Sequence, residues 1–196
     1  MIKLLSMTPN YMEVLQKAAG QCYQKRLTPK AIEHIIKSGH LSVLEHCYAT
    51  FMIECSISTL LQLTRHRHLS FTVQSSRGSQ LSNVHTVHDT FIDTLNEYVM
   101  RKYRELVMNG CENEKAAYVL PKAAKYKLVV TGNFRAWFEY LPKRLCKRAQ
   151  EEHRILAHEI YCKLSQDAPE IFDRPMMGCE HCTEERCTFS HAKGDK

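Results

Sequence analysis

Ile57, Leu60, Leu61 and Thr64 recur at i, i+3, i+4 and i+7 and run straight into Arg65-His66-Arg67. That spacing predicts a helix with one side packed on a core. Gln62 lies off the stripe, and Arg65 continues along the polar side. The next residues, Ser70-Phe71-Thr72-Val73, favour an extended strand. A packed helix that ends in cations and is followed at once by a strand bearing Ser75, Ser76 and Arg77 makes a two-walled pocket the expectation.

Residues 65–77 hold three arginines, two histidines and four hydroxyls, and no acid. An ordinary exposed face mixes both signs. Arginine forks suit phosphates and other planar anions, and hydroxyls both donate and accept. The stretch reads as an anion or nucleotide cradle, with a solvated basic face as the alternative.

At 196 residues the chain is long enough for one domain with a sizeable core. An apolar fraction of 44% and a charged fraction of 24% are those of a globular protein. No apolar run approaches the roughly 20 residues of a membrane span, and the N-terminus does not read as a signal peptide. The net charge of +6 favours small anionic ligands without demanding a polyanion. Nine cysteines suggest a disulfide scaffold only in a short secreted chain. Here Cys47, Cys55, Cys146 and Cys162 sit in apolar segments, so a reduced, cytoplasmic protein is expected.

In order, Ile2 to Leu5 reads as an edge strand and residues 10–19 as a helix. Thr28-Pro29 opens the next helix with a hydroxyl cap and a proline whose missing N–H costs nothing there. Ile32, Ile35 and Ile36 form its stripe and Gly39 its end. His40 and Ser42 open a short helix through Glu45 and His46, with simple capping as the alternative to a ligand role. Tyr48 to Cys55 reads as a strand. Residues 78–90 form a polar loop in which His85 and His88 receive no role. A long helix carries Phe91, Leu95, Tyr98, Val99 and Leu106 and ends near Gly110. Tyr126 to Thr131 reads as a strand, and Asn133 caps a helix with Phe134, Trp137, Phe138 and Leu141 on its buried stripe. Asn133 and Arg135 fall at that helix's N-terminal end, where amides and dipole favour an anion. Pro142 should disturb the helix just before Arg144. Lys143, Arg144, Lys147 and Arg148 form a basic cluster. Leu156, Ile160 and Leu164 give the last helix its apolar side.

The tail carries Cys179, Cys182, Cys187 and His191. These residues offer zinc ligands, but the second half lacks a paired spacing, so free thiols are the alternative.

Arg65-His66-Arg67, then seven residues, then Ser75 resembles the RHRx7S signature of flavin-dependent thymidylate synthases, the ThyX family. Gly39-His40-Leu41-Ser42-Val43-Leu44-Glu45-His46 is similar to the family's GH-x-S/T-x-x-E-H segment, and Ala18-Ala19-Gly20-Gln21-Cys22-Tyr23 to its AAR-x-C-Y. Leu120-Pro121 and Thr131-Gly132-Asn133-Phe134-Arg135 resemble its LP and T-x-N-x-R segments. Leu141-Pro142-Lys143-Arg144 with Ala149-Gln150-Glu151-Glu152-His153-Arg154 resembles its LxxR…AQxEIR helix. The motifs keep one order from about residue 18 to 172.

The resemblance implies an α+β fold, an antiparallel sheet packed with helices, assembled as a homotetramer. It makes residues 1–175 a single catalytic domain and 176–196 a Cys/His-containing tail. It implies transfer of a one-carbon unit from methylenetetrahydrofolate to C5 of dUMP and its reduction to a methyl, giving dTMP. FAD, itself reduced by NADPH, supplies the reducing equivalents. Carried over by position, Gln62, Arg65, Ser75, Ser76, Arg77 and Arg144 would contact the nucleotide, with Arg144 and Ser75 as the catalytic pair. Arg144 would help ionise the uracil ring. Ser42, Arg65, His66, Arg67, Asn133 and Arg135 would hold FAD. No metal, nucleic acid or membrane enters this reading.

The chain departs from the family pattern at Val73 (Glu or Gln expected), Ala117 (arginine), Gly78 (tyrosine) and Gly20 (arginine). Glu139 puts an acid on the flavin side of the Asn133 helix. Two alternatives stand beside the synthase: a related flavin enzyme acting on another uridine nucleotide, and a non-catalytic nucleic-acid binder with a zinc tail.

Overall fold

The computed structural model describes residues 2–173 together with Cys182 and Cys187. In chain order it comprises β1 (Ile2–Met7), α1 (Tyr11–Tyr23), α2 (Pro29–Lys37), a 3-10 helix Leu41–His46, β2 (Tyr48–Ser56), α3 (Ile57–Leu63) and β3 (Leu69–Val73). There follow α4 (Thr90–Met108), α5 (Asn113–Ala116), a 3-10 turn Ala117–Val119, β4 (Lys125–Asn133), α6 (Phe134–Leu145), α7 (Glu151–Asp167) and α8 (Pro169–Phe172). The fold is α+β, and the strands form an antiparallel sheet in the order β1-β2-β4-β3. The expected edge position of the first strand holds.

The chain divides into two compact units. The first comprises residues 52–67 and 71–130; the second comprises 2–51, 68–70 and 131–173. In the first, Ile53 and Cys55 of β2 and Tyr126, Leu128 and Val130 of β4 alternate inward. This is the period-2 burial that a pleated strand dictates. Helix α4 contributes Met100 and Tyr103 to this core. Its Phe91, Leu95 and Tyr98 instead stand 78%, 52% and 47% exposed.

In the second unit, Trp137 is fully buried and donates from its indole N–H to the Ala49 carbonyl at 3.0 Å. Phe51 meets that indole edge-on at 5.3 Å between centroids. Gly132 is required by this packing: a Cβ there would lie 2.3 Å from Leu69 Cδ2 and 3.1 Å from Trp137 Nε1. Thr28 caps α2 through the Ala31 amide, and Gly39 adopts φ +83° just beyond that helix, as their residue types foretell.

Three local expectations are corrected. The buried face of α3 is Thr59, Leu60 and Leu63, while Leu61 is 61% exposed. Ser56 sets this rotation by accepting from the Thr59 amide, as Ile57 and Ser58 donate to the carbonyls of Ala124 and Lys122. Strand β3 stops at Val73, so Ser75 lies in a turn rather than on a strand. Helix α6 runs through Pro142 to Leu145, so Arg144 sits inside its last turn.

Candidate functional site

The predicted residues fall in both units. In the first, α3 unwinds through tight turns: Thr64 donates to the Leu60 carbonyl from both its amide and its hydroxyl, and His66 N donates to Leu63 at 3.1 Å. Gln62 is half-buried, while Arg65 and Arg67 are exposed. Neither arginine has a carboxylate partner among the described residues. Two uncommitted guanidinium groups two residues apart suit a phosphate-bearing ligand.

Beyond β3 the chain folds back on Ser75. The Ser75 carbonyl accepts from the Ser79 amide at 2.9 Å and the Ser79 hydroxyl at 2.8 Å. The Ser75 hydroxyl oxygen accepts from the amides of Arg77 at 3.2 Å and Gly78 at 3.3 Å. With its acceptor sites used, that hydroxyl keeps its proton to give. The sequence reading missed Gln74, which anchors the turn. Its backbone N–H donates to the Lys127 carbonyl at 2.8 Å, its amide oxygen accepts from Lys127 N, and its NH2 donates to the Ser79 hydroxyl. The signal was its place between a strand and a serine run. Ser76 is half-buried. Arg77 lies 3.2 Å from Glu114 of α5, both side chains largely exposed. Val73 is half-buried at the end of β3, and Ala117 follows α5.

In the second unit, Asn133 caps α6 by accepting from the Ala136 amide at 2.8 Å, while Phe134 N donates to the Cys47 carbonyl. An anion at this helix N-terminus therefore finds most of the first-turn amides taken, a limit on the expected dipole site. Arg135 lies between two acids, 2.8 Å from Glu139 on its own helix and 2.5 Å from Glu45 of the 3-10 helix that also carries the exposed Ser42. These carboxylates, Glu139 first, hold its guanidinium further above its ordinary range. Glu139 was placed on the flavin side from sequence, but neither acid was assigned as a partner of Arg135; Glu139 at i+4 from Arg135 was the local signal.

Arg144 is half-buried in the last turn of α6. It follows Arg135 by nine positions, about half a turn around the axis and about 13 Å along it. The two arginines thus point from opposite sides of one helix.

The zinc expectation rests partly on Cys179, outside the described residues. Among the described residues no cluster of three His, Cys, Asp or Glu side chains is placed to hold a metal ion. No described helix is long and apolar enough to cross a membrane.

An antiparallel sheet framed by helices, with an acid-free arginine, histidine and serine segment flanking one strand, defines an α+β protein. The family model described as thymidylate synthase complementing protein matches residues 3–170, and the chain belongs to that family. It is 33% identical over 223 residues to the flavin-dependent thymidylate synthase of Nitratidesulfovibrio vulgaris, covering 93% of this chain and 91% of that one. It is also 33% identical over 184 residues to the flavin-dependent thymidylate synthase of Pyrococcus horikoshii, covering 80% and 75%. Thymidylate synthase X from Helicobacter pylori, in its crystal structure with FAD and dUMP, superposes with a TM-score of 0.81. That match covers 90% of this chain and 99% of the other at 21% identity, a likeness of fold.

Proposed function

We propose that this chain is a flavin-dependent thymidylate synthase that reductively methylates dUMP at C5, with residues 1–175 as its catalytic domain. The observation that carries the reading is the ordered motif set, from Ala18 to the Arg154 segment, inside a family match spanning residues 3–170.

The residues fit an anionic dinucleotide cofactor in one respect. Arg65 and Arg67 are exposed cations without acid partners, suited to phosphates beside His66. Arg135 fits differently: pinned between Glu45 and Glu139, it serves a polar, uncharged contact better than a phosphate. Ser42 and Asn133 complete the proposed FAD set. Bound FAD, reduced by NADPH, would supply the reducing equivalents, and methylenetetrahydrofolate the carbon.

On the nucleotide side, Gln62, Arg65, Ser75, Ser76, Arg77 and Arg144 are the proposed contacts. The Ser75 hydroxyl is oriented by two amides and donates its proton to a substrate oxygen. Arg144 places a fixed positive charge beside the uracil ring as that ring becomes anionic, which favours ionisation.

Because Arg135 and Arg144 face opposite ways, one copy of α6 cannot aim both at one ligand pair. This supports a site completed by other copies in a homotetramer, and the exposed Phe91, Leu95 and Tyr98 of α4 offer apolar surface for assembly. We place the enzyme in the cytoplasm.

A second reading, a different uridine nucleotide, is favoured by Val73 and Ala117, which supply no polar contact, and by Glu114, which occupies Arg77. The test is the visible spectrum of FAD-saturated protein with and without dUMP, followed by turnover of dUMP against UMP. A flavin spectrum that shifts with dUMP, and preferred turnover of dUMP, is the expected result. Preferred turnover of UMP selects the second reading, and no bound flavin overturns both.

A further inference from the structure

Within the first unit, the loop after the Ser75 turn and one side of α4 frame an open cleft of about 650 Å3, within the size range of ligand pockets. Arg101 and Arg104 of α4 and Lys125 of β4 line it, against one acid, Glu97. None of the three cations has a carboxylate partner among the described residues. Elsewhere on this unit the neighbouring Lys102, Lys115 and Arg77 are each paired to a glutamate.

Glu97 and Arg101 stand at i and i+4, the favoured order for a helical ion pair. Arg101 nevertheless lies over the Tyr98 ring, 5.3 Å from its centroid, and so keeps its donors open to the cavity. Arg104 spends one donor on the Ser82 carbonyl at 3.3 Å and retains the rest of its fork. The Thr94 hydroxyl donates to the Thr90 carbonyl at 2.7 Å and the Ser82 hydroxyl to Asn83 Oδ1 at 3.3 Å, so the free donors of the cavity are its cations. Two guanidinium groups and an ammonium match the oxygens of linked phosphates better than a single carboxylate.

The wall of this cavity is also the far end of the Ser75 turn. Gln74 donates to the Gln80 carbonyl, Leu81 N donates to the Tyr103 hydroxyl, and Ser82 holds Arg104. A ligand that fixes Arg104 therefore fixes the strand of loop running back to Ser79 and Ser75.

We propose that this cavity is a second anion site, for a pyrophosphate-bearing ligand such as a nucleoside diphosphate, and that its occupancy stiffens the loop carrying Ser75. On α4, Arg101 and Arg104 lie about 80° and 140° around the axis from Phe91, and Tyr98, which shares the exposed apolar face, lines the cavity as well. The proposal does not depend on the thymidylate synthase reading, because its test uses no turnover.

Inorganic pyrophosphate is titrated calorimetrically into the full chain, and amide exchange across residues 75–82 is followed by NMR. The expected result is binding that weakens by about tenfold or more in R101Q/R104Q and changes less than about twofold in R77Q. Slower exchange of the Ser79 and Leu81 amides on binding is expected as well. K125Q, which leaves α4 intact, should weaken binding in the same direction and guards against a helix defect in the double variant. No binding, equal binding in R101Q/R104Q, a loss confined to R77Q, or exchange unchanged at saturation would overturn the proposal.

Discussion

Arg77, a proposed substrate arginine, has its guanidinium 3.2 Å from the Glu114 carboxylate, so the chain supplies its own anion where a ligand's is expected. Both side chains are largely exposed, and such pairs are worth about 0–1 kcal/mol. E114Q should therefore lower the KM for dUMP by up to about fivefold at low ionic strength, with the gain fading as salt rises. A KM that does not move would show that Glu114 offers no competition.

Ser75 and Ser79 separate chemistry from scaffolding within one turn. S79A removes a hydroxyl that bonds the Ser75 carbonyl and leaves the Ser75 hydroxyl in place. S75A should reduce kcat/KM for dUMP about tenfold or more, and S79A only a few-fold. Equal losses would assign Ser75 a structural role alone.

Gly132 is set by close approach rather than by backbone angle. G132A would drive a methyl into Leu69 and the Trp137 indole, and overpacking of this kind typically costs about 1–3 kcal/mol. Urea unfolding should show that loss, and an unchanged midpoint would mean that Leu69 yields freely.

Burial pushes the Cys47 thiol from its ordinary 9.0 up to about 11. Its folded pKa is raised, so its contribution to stability is complete below about 9 and is lost as pH climbs through about 11. Unfolding midpoints taken from pH 8 to 11 should decline, and C47A should flatten that decline. A C47A profile parallel to the parent would place the alkaline loss elsewhere.

The α4 stripe predicts assembly. F91E/L95E, two changes at exposed positions, should leave the fold intact and shift the sedimentation profile to smaller species. An unchanged profile would remove α4 from the contact between copies.

Much of the frame was legible because its signals are local. Thr28 with Pro29, Asn133 before an apolar stripe, and the alternation in β2 each act through a few neighbouring residues. The face of α3 was not, because Ile57, Leu60, Leu61 and Thr64 overlap an equally helical set at Ser56, Thr59, Leu60 and Leu63. Beside the local Ser56 cap on Thr59, the carbonyls of Lys122 and Ala124, distant in sequence, fix which set turns inward. Ser75 was located in the right segment but on the wrong element. What ends β3 is Gln74 reaching Lys127, a bond the linear sequence does not display. The same distance in sequence hides Glu45 from Arg135 and Glu114 from Arg77.

The opposed arginines of α6 carry a genetic consequence. If Arg135 serves a ligand on one side and Arg144 a ligand on the other, a defect at each position damages a different composite site. Chains carrying R135Q and chains carrying R144Q, each inactive alone, should then complement one another when refolded together, because some mixed assemblies pair an intact Arg135 with an intact Arg144. One helix would act as a party wall, and the unit of inheritance for activity would be the oligomer rather than the chain.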